Sequence, residues 1–91
     1  MPFYDTDNIQ CWFYTAIEEE FEYFQSEDKK EVAEWHQRVL YSQRSLYDEC
    51  RELIKTHYMP NEYITLLDAI MNSVNWEELL KDLREACVLE A

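Results

Sequence analysis

Apolar residues along this chain recur every three to four positions, in stretches separated by short polar breaks. Ile9, Phe13, Ile17 or Ala16, Phe21 and Phe24 draw one such stripe, widened by Trp12, Tyr14 and Tyr23. That spacing is one face of a helix. Asp7 followed three residues later by Gln10 has the order of a capping box, which sets the expected helix start at Asp7. Ser26, Glu27 and Asp28 end this helix and can cap the next. From 28 to 57 there is neither proline nor glycine. Val32, His36, Val39, Leu40, Gln43, Leu46, Tyr47, Cys50, Leu53 and Ile54 lie along one side of that segment. It reads as one long second helix, on the order of 40 Å at 1.5 Å per residue. The stripe thins at Ser42, Gln43, Arg44 and Ser45, where a kink or break is admitted.

Pro60 suits the first turn of a third helix, because its missing amide costs nothing there. Ile64, Leu67, Ile70, Met71 and Val74 form the apolar side of that helix. The next boundary is the clearest in the chain. Asn75 and Glu78 make an Asn-x-x-Glu capping box, with Val74 and Leu79 placed as a hydrophobic staple. Leu79, Leu80, Leu83, Ala86 and Cys87 then face the core. The pattern predicts an all-α protein: a compact bundle of about four amphipathic helices, the second long and open to kinking. A chain of 91 residues is one domain, 1–91, since a second core could not be filled.

Composition sharpens this picture in three ways. Hydrophobic residues make up 47% of the chain, enough for a real core rather than a disordered acidic tail. Seven Tyr, four Phe and three Trp supply large buried area per residue, which helps a small domain fold without staples. Glycine is absent, so no phosphate-cradling loop or dinucleotide fingerprint can form. Cys11, Cys50 and Cys87 are odd in number and lack CxxC spacing, which points to reduced, part-buried thiols. The first eight residues lack the charge and apolar run of a signal peptide. No stretch approaches the roughly 20 apolar residues of a membrane span. The expected location is the cytoplasm.

Charge changes the picture most. Twenty carboxylates against eight basic side chains give a formal charge of −12. Phosphates would be repelled by such a surface, so direct binding to nucleic acid or anionic membrane is not expected, and basic partners are. The imbalance is local: residues 1–28 carry Asp5, Asp7, Glu18, Glu19, Glu20, Glu22, Glu27 and Asp28 with no Lys or Arg. Six of the eight bases fall within 29–57. Glu18 and Glu22 stand one turn apart and repel. Acids in the C-terminal half of a helix also oppose its dipole. Local stability therefore does not account for the cluster. Either Lys29, Lys30 and Arg38 compensate it, or a partner uses it.

Candidate chemistry is thin. His36, Cys50 and His57 lie on or near the second helix, but no ligand spacing completes a tetrahedral zinc site, and packing roles are expected for them. Neither His36 nor His57 has Glu three residues before it, so a di-iron bundle site is excluded. A Cys-His dyad needs an electropositive setting that this chain lacks. No enzyme activity, metal or cofactor is expected. Arg38, Arg44 and Arg51 are outvoted by surrounding acids as a nucleic-acid stripe, and pairs Glu34–Arg38 and Asp48–Arg51 are expected instead.

Size, acidity and aromatic content together resemble the anti-restriction and anti-CRISPR inhibitors of phages and mobile elements, several of which imitate DNA. The run Val74-Asn75-Trp76-Glu77-Glu78-Leu79-Leu80-Lys81-Asp82-Leu83 is similar to the closing helix of many small phage and anti-restriction proteins. The resemblance implies a non-enzymatic inhibitor that enters the basic nucleic-acid groove of a host defence nuclease complex and blocks DNA access. Duplex DNA presents roughly one charge per 1.7 Å of axis. Carboxylates on successive helical turns repeat every ~5.4 Å, and two helices side by side approach that density. The expected partner-binding residues are Asp5, Asp7, Glu18, Glu19, Glu22, Glu27 and Asp28 for charge, with Trp12 and Tyr23 as aromatic contacts. The alternative is a helical adaptor or regulatory module, chaperone-like or antitoxin-like, that uses an apolar groove. A homodimer pairing first helices is compatible with either.

Overall fold

Trp35 inserts its indole between the first two helices, and the core of the protein grows outward from such contacts. A computed structural model describes residues 6–58 and 67–89, with side chains at 9–56 and 67–89. Every element in those residues is helical: α1 (Thr6–Glu27), α2 (Lys29–Val39), α3 (Gln43–Tyr58), α4 (Leu67–Asn72) and α5 (Trp76–Ala86). The expected start of the third helix at Pro60 lies outside the described residues.

The first helix matches its stripe. Ile9, Phe13, Ile17 and Phe21 are buried, while Trp12, Tyr14 and Phe24 flank them partly buried. Of the consecutive aromatics, Phe13 enters the core and its neighbours cover either side. The described helix already includes Thr6, so Asp7 lies within it rather than before it. Its side chain lies outside those described. Gln10 does not serve the start of its own helix as expected. Its amide reaches α5, where Oε1 accepts the Asn75 backbone N–H and Nε2 donates to Glu78, both at 3.1 Å.

The expected long second helix is two helices. Asp28 caps α2 by accepting the Lys30 N–H at 2.8 Å, as its position suggested. α2 ends at Val39, and the capping Leu40, with φ of −103° and ψ of 20°, departs from the helix. Ser42 then caps α3, its Oγ accepting the Ser45 N–H at 3.1 Å. Arg84 of α5 donates to the freed carbonyls of Leu40 (3.0 Å) and Tyr41 (2.7 Å). The turn has a packing reason: it lets Val39 and Leu40 share one core with Leu46, Cys50 and Ile54. Five described helices therefore replace the expected four.

The Asn75 cap stands as expected, accepting the Glu78 N–H at 3.1 Å, and both staple residues, Val74 and Leu79, are buried. The reciprocal half of the box comes from Gln10 rather than from Glu78. Among the described residues α1 packs chiefly on α2 and α5, and α3 packs on α5, α2 and α4. α1 and α3 are not among the closely packed pairs. That leaves a groove between them. No helix of the described residues is long and apolar enough to cross a membrane.

Candidate partner-binding surface

With Ile9, Phe13, Ile17 and Phe21 turned inward, helical geometry at 100° per residue sends Glu18, Glu19 and Glu22 outward. Glu19, Glu22, Glu27 and Asp28 are exposed, and Glu18 is half-buried. Tyr14 lies one turn before Glu18 and is within hydrogen-bonding reach of it. Burial, and next the Glu18 charge, hold the Tyr14 hydroxyl above its ordinary pKa, which keeps it protonated as a donor to that carboxylate. Asp82 and Glu85 of α5 line a shallow depression with Tyr14 and Ala86, so this flank of α1 continues onto a second acidic helix.

The question left by the sequence was whether cations neutralise the α1 carboxylates. All eight Lys and Arg side chains lie among the described residues. The ion pairs they form are Arg38–Glu49 (2.8 Å), Arg44–Asp48 (3.4 Å), Arg51–Asp68 (3.1 Å) and Lys55–Glu52 (3.8 Å). Among the described residues none of these pairs involves Glu18, Glu19, Glu22, Glu27 or Asp28. The expected Glu34–Arg38 and Asp48–Arg51 pairs are replaced. Arg38 reaches across to α3 and Arg51 to α4, because interhelical carboxylates lie nearer than the same-helix ones.

The other flank of α1 is different. Trp12, Thr15, Ala16, Glu19, Glu20, Tyr23 and Phe24 of α1 face Leu53 of α3 across an open groove of about 800 Å³. Tyr23 is 60% exposed, and its ring meets Phe24 edge-on at 5.4 Å. Trp12 is half-buried against Phe13 at 5.5 Å. Of the expected site residues, Trp12, Glu19 and Tyr23 thus share the groove. Glu18 and Glu22 face the solvent and α5 side, while Glu27 and Asp28 sit at the helix end. Asp5 lies outside the described residues, as does the side chain of Asp7.

Glu20 is the site residue that sequence reasoning missed. It belongs to the acidic run, but it points inward at the groove's end. Trp35 donates its indole N–H to Glu20 Oε1 at 2.9 Å. Glu49 of α3 lies within hydrogen-bonding reach of Glu20, and Arg38 Nη1 donates to Glu49 Oε1 at 2.8 Å. Burial raises the Glu20 pKa, the Trp35 bond opposes that shift, and the Glu49 charge adds to it. A half-buried carboxyl pair is therefore held by one guanidinium and one indole. Its only sequence signal is the step from Phe13 and Ile17 to Glu20 at helical spacing, which is common for surface acids.

The remaining candidates take packing roles. His36 donates from Nε2 to the Cys87 carbonyl at 2.8 Å, closing the end of α5. Cys50 and Cys87 are buried and Cys11 is exposed. Burial pushes the Cys87 thiol up to about 11 and the Cys50 thiol higher still. The side chain of His57 lies outside those described. Trp76 is half-buried with its N–H on the Met71 carbonyl at 2.8 Å and its ring against Tyr47 and Phe13. Among the described residues no three His, Cys, Asp or Glu gather closely enough to hold a metal ion. Comparison of this chain with protein-family models, curated proteins and solved structures finds no match.

Proposed function

We propose that this chain is a non-catalytic inhibitor that uses α1 to occupy a basic groove built for a nucleic-acid backbone. The observation that carries the reading is the outward carboxylate row on α1, which none of the chain's eight cations pairs within 4.0 Å among the described residues. Like charges held at helical spacing cost stability. Their retention without compensation is explained by a cationic partner. Asp82 and Glu85 on α5 widen the row into a two-helix surface. Attraction of this kind gives fast, salt-sensitive association. A defence nuclease complex, CRISPR-Cas or restriction, is the proposed target, and a phage or mobile element the proposed source.

The test is capture from bacterial lysate by the intact protein and by a charge-reversed variant, Glu18→Lys, Glu19→Lys and Glu22→Lys together. The expected partner binds DNA, releases it as the protein is titrated in, and elutes at raised salt. The variant captures little of it while keeping wild-type helical content. A partner held equally by the variant, or retained at high salt, would overturn the reading.

A second reading is a helical adaptor that seats an apolar segment in the groove between α1 and α3, at the cost of burying Glu19 and Glu20 there. Binding of that kind persists as salt is raised, so the same elution series separates the two.

A further inference from the structure

The groove combines three features that together select one side-chain chemistry. Its wall carries aromatic rings, Tyr23 the most exposed of them. Two carboxylates, Glu19 and Glu20, also line it. Behind Glu20 the protein has already placed a guanidinium of its own, Arg38, on Glu49 at 2.8 Å. Glu20 and Glu49 thus have one cation, Arg38, beside them, and Glu19 is in none of the ion pairs among the described residues.

We infer that this groove receives an arginine side chain of the basic partner, its guanidinium stacking on the exposed Tyr23 ring and bonding to the carboxylates of Glu19 and Glu20. This rests on the reading of the chain as a ligand for basic proteins, and names what the partner inserts. A guanidinium is planar, weakly hydrated and forked, so it can stack on a ring and bond a carboxylate at once. An ammonium satisfies the charge but not the stacking. An apolar helix laid in the groove would desolvate Glu19 and Glu20 without pairing them, which is costly. A second copy of the chain, docked α1 to α1, would bring the same carboxylates against each other. The acidic row then supplies long-range attraction, and the groove supplies selectivity for arginine over lysine.

The experiment uses the whole protein, a short arginine-rich peptide and its all-lysine counterpart at one ionic strength. Binding is followed by NMR through the Trp35 indole N–H, which reports on Glu20 directly. The arginine peptide is expected to bind about tenfold more tightly and to move the Trp35 signal. Tyr23→Ala and, separately, Glu20→Gln should bring its affinity down to that of the lysine peptide. Tyr23 is exposed, so the first variant keeps the wild-type circular dichroism spectrum. Equal, salt-sensitive affinity for both peptides would overturn the arginine site and leave the proposed function standing. Failure of both peptides to bind would overturn the two together.

Discussion

Replacing Glu20 by glutamine should stabilise the protein near neutral pH, although it removes a hydrogen-bonded carboxylate. The substituted side chain keeps an oxygen for the Trp35 N–H, which the carboxylate accepts at 2.9 Å. That bond weakens by roughly half when its acceptor loses charge. In exchange, the new amide N–H can donate to Glu49, which lies within reach and carries charge. The half-buried site also no longer holds two adjacent carboxylates. Water screens part of each effect, so the net gain is about 0.5–1 kcal/mol. For a domain of this size that raises Tm by roughly 2–6 °C.

The pH dependence gives the sharper signature. The folded-state pKa of Glu20 is raised, chiefly by burial. Between the unfolded value and the raised one, the folded chain holds more protons than the unfolded chain. Wild-type stability from this group is therefore present at acid pH and falls as pH rises through that window. Glutamine does not titrate, so the variant should gain little at about pH 4 and its full margin by about pH 7.5. Urea unfolding of both proteins across that range measures the difference. Parallel stability curves, or a variant weaker at neutral pH, would refute the picture of a desolvated carboxyl pair.

Other consequences follow from single contacts. Gln10→Ala should cost about 1 kcal/mol in urea unfolding, because it strips the Asn75 N–H of its acceptor at the start of α5. Arg84→Ala removes both donors from the α2–α3 turn and should cost about 1–2 kcal/mol, with amide exchange quickening first around Leu40 to Ser45. Phe13→Ala empties a fully buried site and should cost about 3–5 kcal/mol, enough to unfold much of the population on heating. At about pH 8 a thiol reagent should label Cys11 alone in the native protein. Cys50 and Cys87 should react only on unfolding, since burial both shields them and raises their pKa values.

Much of the architecture was legible from residue order because its causes are local. The α1 stripe, the Asp28 cap and the Asn75 cap each depend on side chains within one or two turns, and each stands where spacing put it. The outward carboxylate row is equally local, since inward Phe13 and Ile17 force Glu18, Glu19 and Glu22 to the other side. What residue order could not supply was the set of contacts between helices. The chain turns at Leu40 because a serine cap, an arginine from α5 and a shared core outweigh continuous helix propensity, and two of those three are remote in sequence. Gln10 has the spacing of a local cap but spends its amide 65 positions away. Arg38 and Arg51 pass over the expected same-helix acids for partners on neighbouring helices. Glu20 looks like its neighbours until α2 and α3 bring Trp35, Arg38 and Glu49 around it. Helical periodicity assigns a side chain to a face; folding alone brings one face opposite another, and the carboxyl pair and the groove exist only there.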